Sequence, residues 1–225
     1  MQNQPTHHHR HALCLTLGAV ALAVLCLALP ARAGNKTTPG QSSSFGKTLP
    51  QWQDLYWRWT YGNVTVPTDA NGNGVSGGVV LMGVPNAPGD GTPGHLNVTL
   101  NNGQPFFLPL WTLLGNNYSD GTPPDPLVDI SVFQTLDLTL QIDGVTVLNG
   151  NNQMQYYSSF NFDPVFPLPP AFAPYAGFIW FEGIGISHAP FTPGTHTIKL
   201  DAKNTQPAFG FIFEYHNTWT VTVLP

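Results

Sequence analysis

From Phe209 to Val223 the side chains sort by parity. Phe209, Phe211, Phe213, Tyr215, Trp219, Val221 and Val223 occupy one set of alternate positions, and Glu214, His216, Thr218, Thr220 and Thr222 the other. Successive side chains of a β-strand point to opposite faces, so the run predicts a long strand with one oily face and one wet one. Such a strand must bury its oily face against a second layer, which commits the chain to a packed β architecture.

The remaining pattern agrees. Leu136, Leu138, Leu140 and Ile142 alternate with Asp137, Thr139 and Gln141, and Asp143-Gly144 then turns the chain into Val145–Leu148. Asp and Gly tolerate positive φ, so this reads as a hairpin. Asn101-Asn102-Gly103, between His95–Leu100 and Pro105–Leu114, reads as another. Further strands are expected at Gly78–Val84, 154–162 and 177–186, the last two separated by the Pro-rich loop 163–174. His196–Leu200 should pair with the final strand about residue 206. One helix is expected, Pro50 to Tyr61, with Thr48 as its cap, an apolar stripe of Trp52, Leu55, Tyr56 and Trp59, and Gly62 as its stop. The fold class that follows is all-β: an antiparallel β-sandwich, jelly-roll-like with an immunoglobulin-like sandwich as the alternative, preceded by one short amphipathic helix.

Composition excludes the rivals. Charged residues are 8% of the 225, and Gly (23) and Pro (22) are abundant, which rules out a coiled coil or helical bundle. The ends of the chain set its compartment. Residues 1–33 read as a signal peptide: a polar start with Arg10, an apolar run from Ala12 to Leu29, and Ala31-Arg32-Ala33 before the cleavage point. An uncleaved anchor is the alternative, because eighteen apolar residues are about enough to span a bilayer. Residues 34–47 are small and polar and read as a flexible leader, and 48–225 as a single domain.

Both cysteines, Cys14 and Cys26, fall inside the signal segment, so the processed chain carries no thiol. A secreted eukaryotic domain more often carries disulfides, which favours a bacterial protein, periplasmic or extracellular. Processing leaves Lys36, Lys47, Arg58, Lys199 and Lys203 against 12 acidic residues, a balance that opposes binding to nucleic acid or to anionic membrane.

Several segments together resemble a family of exported bacterial proteins with no assigned activity. They are the helix WQDLYWRW, the strand VVLMG, the strand entry NNGQPFFLPL, the strand-turn-strand LTLQIDGVTVL, and the ending PGTHTIKL with YHNTWTVTV. The resemblance implies export and a sandwich fold, and it assigns no catalytic residue.

Five constellations bear on chemistry. Asp69, Asn71 and Asn73, with Gly74 in sixth place, match the first half of a calcium loop, although Val80 stands where a bidentate Glu belongs. Ca2+ is therefore the one cofactor considered. The four histidines of the processed chain (His95, His188, His196 and His216) show no metal-binding spacing, and alternation puts His196 and His216 on opposite faces. Glu182 alternates with Trp180, Ile184 and Ile186, where burial would raise its pKa as in a general acid. The bland alternative is that Gly183 and Gly185 bulge the strand and let Glu182 reach water. Ser187 and His188 are adjacent and so point apart, which excludes a Ser–His pair. Trp57 and Tyr61 lie off the apolar helix stripe, where exposed rings form a platform for sugar. The expectation is a secreted, non-enzymatic binding or surface protein with an unknown glycan or protein partner. One alternative is a carbohydrate-active module, binding through Trp57 and Tyr61 or hydrolysing with Glu182. The other is a self-assembling extracellular structural protein.

Overall fold

The computed structural model describes residues 37–38 and 43–225. The segment read as a signal peptide, with both cysteines, lies outside these residues. In chain order the strands and helices begin with β1 (Thr37–Thr38), β2 (Ser43–Ser44), β3 (Lys47–Thr48) and α1 (Leu49–Thr60). There follow β4 (Gly74–Ser76), β5 (Val79–Leu81), β6 (Gly94–Leu100), β7 (Phe106–Tyr118), the single turn α2 (Ser131–Gln134), β8 (Asp137–Ile142) and β9 (Val145–Asn149). The chain ends with β10 (Tyr157–Pro167), β11 (Tyr175–His188), β12 (Gly194–Lys203) and β13 (Glu214–Val223).

These strands form an all-β sandwich. In the first sheet β11 lies between β7 and the pair β10 and β1, which share its other side, and β5 and β4 continue beyond β7. The second sheet runs β6-β13-β12-β8-β9. Most pairs are antiparallel, but β6 runs parallel to β13 and β5 parallel to β7, so both sheets are mixed. The core lies between them and includes Phe106, Leu108, Phe133, Leu140, Ile198 and Trp219, all buried. Phe133 meets Trp111 edge-on at 5.1 Å and tilts against Tyr157 at 4.9 Å.

The Asp143-Gly144 hairpin forms as its residues dictate. Both take positive φ (50° and 76°), and Ile142 pairs directly with Val145. The Asn101–Gly103 turn also forms, closed by Asn101 N–H donating to the Gln104 side chain and Gln104 N–H to the Asn101 carbonyl. It is not a hairpin. Its two strands belong to different sheets, and the turn carries the chain across the sandwich.

The final strand is shorter than parity suggests. It begins at Glu214, because Ala208 and Phe211 close on each other in a tight turn and leave Phe209 and Phe211 exposed. From Glu214 onward the sorting holds, with Trp219 and Val221 fully buried and Thr222 exposed.

The helix runs one residue earlier than the sequence suggests. The Gln51 side chain accepts the Thr48 N–H at 2.8 Å, which caps a backbone donor the helix cannot satisfy itself. Leu49, Trp52 and Tyr56 pack with Val79, Leu81 and Phe107 on the outer face of the first sheet. Gly183 and Gly185 also face outward there. A Cβ on Gly185 would strike the Gln53 amide, so the bare Gly185 lets the helix settle onto the sheet. The stretch assigned to a flexible leader takes part in the fold where it is described. Thr37 and Thr38 pair with His188 and Ser187, Ser43 and Ser44 pair with Thr48 and Lys47, and Ser44 O accepts the Trp52 indole N–H. Polar, unpatterned residues give little warning of such edge pairing, because the backbone supplies it.

Candidate functional site

β5 starts out paired with β7 and then leaves it. Met82 N–H still donates to the Phe107 carbonyl at 2.9 Å. At Gly83 the chain swings toward the second sheet, where the Gly83 carbonyl accepts the Trp219 indole N–H at 2.8 Å. The divergence opens a slot of about 340 Å³ beside β7. Val84, Pro85, Asn86 and Ala87 form one wall, and Pro109 through Thr112 of β7 the opposite one. Trp57 closes the helix side, and Tyr215 and Asn217 of β13 close the other.

Four residues of this slot carry polar atoms enclosed behind its surface. Trp57 Nε1, Trp111 Nε1, Thr112 Oγ1 and Asn217 Oδ1 are buried and have no hydrogen-bond partner. Buried side-chain polar atoms are ordinarily paired, because an unpaired one forfeits its hydration without return. Asn217 is 7% exposed and Trp111 3%. A Cβ on Gly94 would collide with Asn217 Oδ1, so the bare Gly94 makes room for the amide.

Of the residues singled out from sequence, Trp57 lines this slot. It is half-buried with its N–H enclosed, not a ring lying flat to solvent. Tyr61 does not line the slot, although its ring lies 6.3 Å from that of Trp57, tilted by 34°. Its ring packs edge-on against Phe166, Phe172 and Phe178 in an aromatic cluster on the outer face of the first sheet. The two rings adjoin at an angle, and both pack against this cluster.

Glu182 does not reach water as the bulge alternative proposed; it is 4% exposed and points between the sheets. Its Oε1 accepts the Tyr157 hydroxyl at 3.0 Å and its Oε2 the Val128 N–H at 3.2 Å. Burial pushes its carboxyl above the ordinary range, against these two hydrogen bonds, and nearby Asp129 adds to the rise. Tyr157 is pushed up to about 12, chiefly by burial. Glu182 thus resembles a protonatable acid electronically, while both its oxygens are occupied by the protein's own donors.

The Asp69 loop turns its carboxylate inward. Oδ1 accepts the backbone N–H groups of Asn71 and Asn73, at 2.9 and 3.0 Å. Oδ2 accepts the side-chain amides of Asn73 and Gln104, at 3.1 and 3.4 Å. Although burial pushes the Asp69 pKa up, these donors outweigh it and hold the carboxyl below its usual value. Asn73 also donates to the Thr99 carbonyl, and Asn71 to the Asn101 side chain. The three residues converge, but as a hydrogen-bonded brace between the loop and the 99–104 turn. Among the described residues no three His, Asp or Glu side chains gather to hold a metal ion.

The histidines are dispersed. His188 is buried and stacks on Phe106 at 5.0 Å. His196 bridges Asp143 and the Thr192 carbonyl, and His95 lies 3.1 Å from Thr220 Oγ1. His216 sits between Asp201 and Glu214 on the wet face of β13, on the opposite side of the sheet from His196.

Sequence reasoning missed Thr112, Tyr215 and Asn217. One signal was available: Asn217 is the polar residue that interrupts the oily parity of β13, between Tyr215 and Trp219. No protein-family model matches this chain, and no curated protein matches it.

Proposed function

We propose that this chain is an exported, non-enzymatic binding protein that holds a small ligand in the slot between β7 and the 83–87 segment. The observation that carries this reading is the slot itself, an uncharged recess where the indoles of Trp57 and Trp111, the Thr112 hydroxyl, the Tyr215 phenol and the Asn86 and Asn217 amides meet the apolar Pro85, Pro109 and Leu110. The enclosure of Glu182 by Tyr157 and Val128 speaks for binding over hydrolysis. The test is a thermal-shift and tryptophan-fluorescence screen of the processed chain against a small-molecule library. A binder is expected to raise the melting temperature and to change an emission that Trp57→Phe alters. A product formed by the wild type and lost in Glu182→Gln would replace this reading with a hydrolytic one.

A second reading has its own observation. Leu127, Ile130, Phe209, Phe211 and Ile212 are exposed, Phe211 at 64% and Leu127 at 56%. Phe209 stacks on Trp180, whose indole donates to the Asp125 carbonyl, and Ser131 bonds Gln206, so the two loops lie together. An apolar end of this kind favours self-association. Gel filtration over a hundredfold range of concentration tests it: a peak that moves with dilution supports assembly, and a constant monomer peak rejects it.

A further inference from the structure

We infer that the slot is a strand-docking site: it takes an uncharged, extended peptide segment, which adds to the open edge of β7. The inference rests on the binding reading above and names the ligand class. Its first ground is topology. β7 pairs with β11 from Phe106 to Tyr118. On its other side β5 reaches only Phe106 and Phe107, and the last bond runs from Met82 N–H to the Phe107 carbonyl. Among the described residues no strand pairs with 108–115 on that side.

The second ground is the main chain that faces this gap. A Cβ on Gly185 would stand 3.3 Å from the Leu108 carbonyl oxygen, and one on Gly183 3.0 Å from that of Trp111, so both carbonyls point toward β11. Successive carbonyls of a strand alternate between its two edges. Those of Pro109 and Thr112 therefore point the other way, into the slot that both residues line. The same alternation puts the N–H and C=O of Thr112, Leu114 and Asn116 on one edge. Asn116 is already served: its carbonyl accepts the Asp125 N–H at 3.0 Å, and its N–H donates to the Asp125 side chain at 2.9 Å. Between that rung and the end of β5, no strand or loop backbone among the described residues bonds Thr112 or Leu114 on this edge. Such an edge is a template for one more strand.

The third ground is what these groups and walls select. Donor and acceptor recur together at every second residue, about 7 Å apart, which an extended chain matches and a single compact molecule does not. Pro109 offers a carbonyl but no N–H, so it ends the ladder and confines the full rungs to Thr112 and Leu114. A second copy's β7 is unsuited to the place, because its edge is recessed in the same way between the 83–87 wall and β13. Two recesses cannot meet, so the guest is a segment free on both flanks. Its alternate side chains meet Trp57 on the helix side and Tyr215 with Asn217 on the other. No Asp, Glu, Lys, Arg or His lines the slot, so a charged side chain entering it would lose its hydration without a counter-charge.

The experiment is titration of the processed chain with capped hexapeptides of alternating threonine and valine, threonine and phenylalanine, or serine and leucine, read by calorimetry and by amide hydrogen exchange. At least one is expected to bind and to slow exchange of the Thr112 and Leu114 amides by about tenfold or more. N-methylation separates strand addition from mere apolar contact. A methyl on every second nitrogen leaves one edge of the guest intact, and a methyl on every nitrogen leaves none. Alternate methylation should change the affinity by less than about threefold, and full methylation should weaken it by more than about tenfold, the worth of one or two hydrogen bonds. Substituting alternating glutamate and lysine for the hydroxyl residues should weaken it as much as full methylation does. Binding that survives full methylation, or that leaves exchange at Thr112 and Leu114 unchanged, overturns this inference and leaves the binding reading standing. So does a silent peptide panel beside a library compound that binds with the Trp57→Phe signature. Equal binding of the charged peptides overturns the restriction to uncharged segments. Silence from the peptides and the library together overturns both readings.

Discussion

At the scale of single residues, carboxylates with similar sequence credentials do different work because their surroundings differ. Glu182 is buried with two donors, and burial wins, so the folded state holds its proton more tightly than the unfolded chain does. Its contribution to stability therefore grows as pH falls toward the ordinary carboxylate range, and is lost as pH rises through the raised value. Glu182→Gln keeps an acceptor for Val128 N–H and offers Tyr157 a donor. It is expected to match or exceed wild-type stability at pH 7 by about 1 kcal/mol, and to flatten the pH dependence between pH 4 and 8. Urea midpoints across that range check both statements; a destabilised Gln variant would mean that the charge itself holds the 125–130 segment in place. Asp69 is the opposite case, since donors win over burial and the carboxyl stays ionised. Asp69→Ala should cost about 1–3 kcal/mol by freeing the Asn71, Asn73 and Gln104 donors. The same loss in calcium and in chelator would identify the residue as a brace, whereas a loss confined to calcium buffer would identify a metal ligand.

At the scale of elements, legibility followed the range of the interaction. The Asp143-Gly144 turn was readable because two adjacent residues fix it. Its Asp also receives the Thr197 N–H on Oδ1 and His196 Nδ1 on Oδ2, at 2.9 and 2.7 Å, ties to a distant strand that no local rule reveals. The Asn101–Gly103 turn was equally readable as a turn, but its chemistry is silent on whether the following strand pairs with the preceding one or crosses to the other sheet. Phe209–Phe213 misled because a tight turn can also present apolar residues at alternate positions. The register does shift at Gly185, where Ile184 pairs with Trp111 and Gly185 with Pro109, but Glu182 stays buried, and the bare Gly185 also makes room for Gln53 of α1. The slot was the least legible feature, since Trp57, Thr112 and Asn217 are brought together by a helix, a strand of one sheet and a strand of the other.

The β12–β13 ladder has a titrating end, of which parity foresaw only that Glu214 and His216 share the wet face. His216, opposite Asp201, is raised above its ordinary value first by its hydrogen bond to Asp201 and next by that to Glu214, which outweigh its slight burial. Lys203 holds the other oxygen of Glu214 at 2.6 Å. The folded state favours the imidazolium, so its stabilisation is complete below the unfolded value near 6.5 and is lost as pH rises through the higher folded value. An NMR titration should place the His216 midpoint above 6.5, and Asp201→Asn with Glu214→Gln should bring it back toward that value. A wild-type midpoint at or below 6.5 would contradict the arrangement.

At the scale of the whole molecule, the two sheets share one core, and Trp219 joins them twice. Its ring is fully buried among side chains of both sheets, and its N–H reaches the Gly83 carbonyl where β5 departs from β7. Trp219→Phe keeps most of the apolar bulk but leaves that carbonyl without its donor. The expected cost is about 1–3 kcal/mol, from the orphaned acceptor and the smaller ring together. Because one core serves both sheets, the loss should appear as a single earlier transition, with far-ultraviolet dichroism and the remaining tryptophan fluorescence moving together. The consequence for the slot separates this bond from ordinary packing. If Trp219 holds the 83–87 wall away from β7, the variant should also lose ligand affinity under conditions where it is fully folded. A core truncation remote from the slot, such as Leu140→Ala, should lower stability at least as much, by about 2–5 kcal/mol, and leave the affinity of the folded fraction unchanged. Equal affinity in the two variants would show that the wall stands without the tryptophan.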